Sequence, residues 1–301
     1  MKPVRRLLRE MAALLALPAP GVATAHVLSG DGAQSLTWDA EPWVLACLAL
    51  SLLMYAVGAA RLYARARNGR HSLLRQAAWF MAGWLTLVVA LASPLDGAGS
   101  FSFAAHMVQH ELLMIVAAPL LVLGRPLGVW LWAWPGTARR VAGALTRTRP
   151  VQTVWQLLTR PLNAWVLHFA ALWLWHAPYL FQAALTHPAL HALQHASFLF
   201  PALLFWWSVL DRVAGGAARG SAIAYLFTTM LHTGALGALF AVSGRVWYPV
   251  YGGSAAQYGL SALEDQQLGG LIMWVPGGLA YLIVALVLCV GWLTDSRREA
   301  V

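Results

Sequence analysis

The stretch FAAHMVQHELLMIVAAPLLVL, residues 103–123, decides how the rest of the chain is read. It is long enough to cross a bilayer as a helix, which takes about 20 mainly apolar residues. Its single carboxylate is Glu111, it has no lysine or arginine, and its two histidines stand four apart in its first half. A soluble helix of this length carries a charged face, and this one has none.

Six further stretches share this character: Trp43 to Ala60, Gln76 to Ala92, Leu162 to Ala177, Pro188 to Leu210, Ala222 to Val242 and Leu268 to Leu293. Together they predict an all-α polytopic transmembrane bundle of seven helices. The stretch from Leu162 is the shortest, fenced by Arg160-Pro161 and Ala177-Pro178. Composition agrees: 60% of the 301 residues are hydrophobic and 10% charged, too apolar for an ordinary soluble core. Many of the sixteen tryptophans, among them Trp43, Trp175, Trp247 and Trp292, fall near the ends of apolar runs, where indole rings favour the headgroup level.

Arginines orient the bundle. Alternating the loops between two sides puts fifteen on one side and Arg245 alone on the other. Positive loops stay cytoplasmic, so the N-terminus is expected outside and the C-terminus inside, in a bacterial inner membrane. The net charge of +9 resides in these short loops, which suits membrane lipid as a partner and argues against nucleic acid. The connection from Gly124 to Pro161 holds Leu127 to Trp134, too short to span, followed by a basic amphipathic stretch expected to lie on anionic lipid.

Residues 1–25 read as a signal peptide: Lys2, Arg5, Arg6 and Arg9 precede the apolar Met11 to Leu17, and Ala23-Thr24-Ala25 offers a cleavage site. Cleavage there would leave His26 as a new N-terminus whose amine and imidazole can chelate copper. Residues 26–301 then form one domain. The loop from Ser243 to Gln267, rich in glycine and tyrosine, is long enough for a lid. Gly234-x-x-Gly237, Gly269-Gly270 and Gly277-Gly278 suit close helix packing, and Pro119 and Pro276 are expected to kink their helices. Cys47 and Cys289 fall at opposite ends of the topology, so no disulfide is expected, and without a CxxC any metal must be held by histidine, methionine or carboxylate.

Of ten histidines only His71 falls on the cytoplasmic side of this topology. His106 and His110 occupy one face of the third span, a turn apart, and His191 and His195 repeat the spacing on the fifth. The short turn between the fourth and fifth spans lets His176 approach the second pair, and Met107 adds a thioether beside His106. Imidazole with thioether and no thiolate pair suits copper. These residues, His106, His110, His176, His191, His195 and Met107, are the candidate ligands. Glu111, Asp265, Met273 and His26 are accessory candidates. Glu111 turns away from His110 toward another helix, Glu264 and Asp265 also suit helix capping, and Met273 also suits core packing. A lone intramembrane histidine more often bonds a neighbouring helix, the preferred reading for His168 and His232. With no P-loop, GxGxxG, GxSxG or HExxH, a hydrolase or nucleotide enzyme is disfavoured.

Several of these segments resemble the CtaG-like assembly factors of caa3-type cytochrome c oxidase. They are His106-Met107-Val108-Gln109-His110 running to Gly124-Arg125-Pro126, Trp175-His176-Ala177-Pro178, and His191 to Phe198 followed by Phe205-Trp206-Trp207. Leu263 to Gln267 with Gly269 to Gly278 completes the set. The resemblance implies a non-enzymatic membrane factor that helps mature a haem-copper oxidase, most plausibly at copper supply, with oxidase subunits and a periplasmic copper donor as partners. Copper ligation by these histidines follows from their spacing and not from the family likeness. Two rivals stay open: a haem-binding cytochrome or haem-modifying enzyme, and a copper or proton transporter.

Overall fold

Helix α1, Pro42–Arg65, and helix α2, Arg70–Ala92, form a hairpin whose turn uses Gly69 at φ 86°. In the computed structural model the described residues are 38, 40–66, 68–210 and 216–299, with side chains omitted for 216–218 and 295–299. The expected signal peptide and His26 lie outside them. The short helix α3, Pro94–Gly99, is capped by Ser93 and leads to α4, Phe103–Glu111. Helix α4 passes through a π-helical turn, Leu112–Ala117, into α5, Ala118–Gly124.

Arg125 takes a left-handed conformation, φ 48°, and turns the chain into α6, Pro126–Ala133, which packs along α1. Trp130 donates from Nε1 to the Ser51 carbonyl at 3.0 Å, and the Arg61 guanidinium donates to the carbonyls of Trp132, Ala133 and Trp134. A cation at a helix C-terminus satisfies both the free carbonyls and the dipole. Helices α7, Gly136–Leu145, and α8, Arg149–Thr159, bury no residue. They expose Val141, Leu145, Val154 and Leu157 and carry Arg139, Arg140 and Arg149, a combination that suits a helix pair on a lipid surface.

The remaining elements are α9, Pro161–Trp175, α10, Pro178–Thr186, α11, Pro188–Leu210, and α12, Gly216–Ala241. Two 3₁₀ turns, Pro249–Tyr251 and Ser254–Tyr258, follow in the loop. Helix α13, Ala262–Ile272, continues through a second π turn, Met273–Gly277, into α14, Gly278–Glu299.

Among the described residues six helices are long and apolar enough to cross a membrane: α1, α2, α4–α5, α11, α12 and α13–α14. This is the pattern of a multi-pass membrane protein. The stretch expected to form a seventh span, 162–177, is helix α9, which at 15 residues and a rise of about 22 Å is shorter than these six. The prolines that fence it stop it at both ends. It packs against α11 and α12 and buries Ala164, His168 and Leu172. The side of the membrane on which each terminus lies remains an expectation from the arginine count.

Pro276 lies within a π turn, and Pro119 follows the other by two residues. Pro119 has no N–H, so an i→i+5 turn leaves the Met114 carbonyl without its backbone donor, and Trp206 Nε1 supplies one at 2.8 Å. Glycines also let helices cross closely. A Cβ on Gly237 would stand 2.7 Å from both the Gly270 oxygen and the Trp274 nitrogen, and one on Gly270 would stand 2.5 Å from the Ala241 nitrogen. Helices α12 and α13 therefore meet backbone to backbone, as small residues in membrane helices allow. Gly278 does not share this role, because a Cβ there meets only Met230 at 3.8 Å.

Candidate metal-binding site

Two histidine pairs at one-turn spacing face each other across the bundle. His106 and His110 on α4 have ring centroids 4.3 Å apart, and so do His191 and His195 on α11. Across the gap the centroids lie 5.5 Å apart for His106 and His191, 5.9 Å for His106 and His195, and 5.4 Å for His110 and His195. His176, at the C-cap of α9, closes the third side 6.1 Å from His110. His106, His191 and His195 bring one nitrogen each to within 4.8 Å of one another. Phe181 and Phe198 wall this space, 5.1 Å from His106 and 4.4 Å from His110.

Helix α4 is held in place from a distance. Asp265 is fully buried and accepts from Ser102 Oγ at 2.6 Å, Phe103 N at 2.6 Å and Ala104 N at 3.3 Å. These are free donors at a helix start, and a carboxylate there also meets the positive end of the dipole. From the sequence Asp265 is an accessory candidate or a cap of its own helix. Its own helix is capped by Ser261 and Glu264 in a reciprocal capping box, which leaves Asp265 to cap α4.

The imidazoles themselves are poorly satisfied. His106 Nδ1 lies 3.3 Å from the Gly99 carbonyl, which can only accept, so the proton sits on Nδ1 and Nε2 is left as a lone pair without a partner. The same logic fixes His176: Nδ1 donates to the Leu172 carbonyl at 2.7 Å, and Nε2 faces Met107 Sδ at 3.5 Å. Neither nitrogen of His110 has a partner, and Nε2 of His191 and of His195 has none. Burying a polar atom without a hydrogen bond costs about 1–3 kcal/mol. Nitrogens of His106, His191 and His195 lie within 4.8 Å of one another, and their lone pairs could hold a metal ion. Hydrogen bonds to the far nitrogen are also how ligating histidines are normally oriented.

The loop 243–261 lies over this end of the bundle. Tyr248 donates to the His176 carbonyl at 2.7 Å and Tyr251 to the Gly99 carbonyl at 3.1 Å, the same oxygen that orients His106. Burial pushes the Tyr248 phenol above its ordinary range, and burial with the nearby Asp265 charge does the same to Tyr251. Both therefore remain donors at any physiological pH. Gln266 anchors the loop, accepting from Trp247 N at 2.6 Å and donating to the Arg245 carbonyl.

The other candidates fall elsewhere. Glu111 is buried and turned away from His110, as expected, with Oε2 unpartnered and close to where a Cβ on Gly277 would stand, 2.9 Å away. Met273 is buried beside Gly237 at the α12–α13 crossing, a packing position. His168 meets the Tyr281 hydroxyl at 3.3 Å and stacks on Phe205, the helix-to-helix role foreseen. His232 differs: both its nitrogens lack partners, and it sits edge-on to the rings of Trp165 and Phe169.

Sequence reasoning passed over Gln109 and Gln194. Gln109 donates to the Ala90 carbonyl at 2.7 Å and to Asp96. Gln194 is fully buried beside His106 with neither amide atom in hydrogen-bond geometry. The signal was present, because each is an amide inside an apolar span next to a histidine pair.

A model of the family described as cytochrome c oxidase caa3 assembly factor matches residues 53–295, most of the chain. An uncharacterized protein of Mycobacterium bovis and one of Mycobacterium tuberculosis are each 28% identical over 274 residues, 87% of this chain and 40% of theirs. An uncharacterized protein of Mycobacterium leprae is 25% identical over 240 residues, 75% of this chain and 35% of its own length. The chain thus spans at most 40% of the length of these curated relatives. No solved structure matches it.

Proposed function

Because this chain belongs to the family of cytochrome c oxidase caa3 assembly factors, we propose that it binds copper in the histidine pocket and assists its delivery to a subunit of a haem-copper oxidase. One observation carries the reading: His106, His191 and His195 point three nitrogens at a common space, within 4.8 Å of one another. Three nitrogens about 2.0 Å from one ion stand about 3.3 Å apart in tetrahedral geometry, so modest ring rotations close the site. Imidazole and thioether form exchangeable bonds to copper, which suits a protein that must release its cargo. The arginine distribution puts the pocket at the periplasmic end of the spans in a bacterial inner membrane, where a periplasmic donor would load it.

The haem reading gains nothing from the geometry. A porphyrin needs a flat slot between two ligating rings, and Phe181 and Phe198 pack against the flanks of His106 and His110. A colourless purified protein agrees with the copper reading, and a Soret band overturns it in favour of haem. The direct test is metal analysis of the purified chain after exposure to copper. Wild type is expected to retain copper, and the double substitution His106→Ala with His110→Ala to lose it. No copper on wild type, or equal copper on the double variant, refutes the reading.

A further inference from the structure

The pocket holds more donors than one ion can use, and they divide into two groups. His106, His191 and His195 form an all-nitrogen group. Across from it, His176 Nε2 and Met107 Sδ face each other at 3.5 Å, and the carbonyl bond at His176 Nδ1 ensures that no proton lies on the Nε2 between them. An ion about 2.0 Å from an imidazole nitrogen and about 2.3 Å from a sulfur, with near-tetrahedral angles, separates the two donors by about 3.5 Å. This pair therefore already has the spacing of a shared metal. Consecutive helix residues diverge by about 100°, so His106 and Met107 leave α4 in different directions.

His110 borders both groups. It is four residues beyond His106 and three beyond Met107, the two spacings that make neighbours on a helix. Its ring lies 5.4 Å from that of His195 and 6.1 Å from that of His176, and both its nitrogens are unpartnered. His191 is the partly exposed member of the first group and marks its open side, whereas His106, His195, His110, His176 and Met107 are all buried.

We propose that the pocket is two copper positions in series, an entry position at His106, His191 and His195 and an inner position at His176 and Met107, with His110 as the ligand that both can use. The proposal rests on the copper reading above and adds a path within it. The cargo is Cu(I). Both ligand groups are neutral, and the cost of burying an ion rises with the square of its charge, so a monocation is accepted where a dication is penalised. Thioether ligation selects the same ion. Movement between positions is ligand exchange, one donor replacing another, with no electron transferred.

The test is anaerobic titration of the full-length detergent-solubilised protein with Cu(I) held by a colorimetric chelator, followed by X-ray absorption at the copper edge. Wild type is expected to bind two equivalents, with sulfur among the neighbours of one. Met107→Leu should retain one equivalent with nitrogen neighbours only, and His191→Ala should retain one equivalent and keep the sulfur. One equivalent on wild type with no sulfur neighbour, or two equivalents with sulfur persisting in Met107→Leu, overturns the two-position scheme while leaving copper binding intact. No copper on wild type overturns both. The wild-type spectrum decides for or against the sulfur position even where a variant fails to fold.

Discussion

The Asp265 carboxylate accepts the backbone N–H of Phe103 at 2.6 Å, joining the start of α13 to the start of α4 across 162 positions of sequence. The same group takes Ser102 and Ala104, so one buried charge sets the register of the helix that carries His106, Met107 and His110.

Asp265→Ala should therefore cost about 3 kcal/mol, because buried donors lose a charged acceptor. Asp265→Asn should cost less, since its one oxygen still accepts. Thermal unfolding in detergent measures both. Equal melting temperatures for wild type and Asp265→Ala would show that the contact holds nothing.

A second expectation concerns the carbonyl that Pro119 leaves free. Trp206→Phe removes its donor and should cost about 1–3 kcal/mol. Adding Pro119→Ala returns a backbone N–H, so the double variant should recover part of the loss. A double-mutant cycle in denaturant reads the coupling, and strict additivity would contradict the assignment.

The glycine crossing separates two residues that look alike in sequence. Gly237→Ala places a methyl group 2.7 Å from the backbone of α13 and of the π turn after it, and should cost about 1–3 kcal/mol. Gly278→Ala makes only an ordinary contact with the Met230 side chain and should be neutral or slightly stabilising. Parallel melts of the two variants decide, and equal losses would mean that helix propensity rather than contact governs.

The loop tyrosines give a pH dependence. An unfolded tyrosine ionises near pH 10, whereas burial holds Tyr248 and Tyr251 above that value in the fold. The contribution to stability is fully present below about pH 10 and lost as pH rises toward the folded values, because only the unfolded state releases the protons. Melting temperature should be flat through neutral pH and fall above about pH 10. The double variant Tyr248→Phe with Tyr251→Phe should start lower and fall less steeply, and an unchanged slope would count against these two groups.

Much of this was legible beforehand because it is local. Hydropathy along the chain marks the six long spans, and the prolines that fence α9 set its shorter length. One-turn spacing put each histidine pair on one helix face, and the position after His110 sent Glu111 toward another helix, where Gly277 receives it. The partners of Asp265 and Met273, Ser102 to Ala104 and Gly237, were not legible because they lie far off in sequence. Gln109 and Gln194 were passed over because a lone amide in an apolar span states no partner.

Sequence alone determined that the chain is a helical membrane protein with its imidazoles paired at helical spacing, because solvent preference and helix periodicity act residue by residue. Only the tertiary structure decided that the two pairs face each other, that Met107 meets His176 rather than His106, and that the Gly99 carbonyl leaves His106 Nε2 free. Those facts depend on how α4, α9 and α11 pack, and packing is settled by glycine contacts, proline turns and a distant carboxylate acting together.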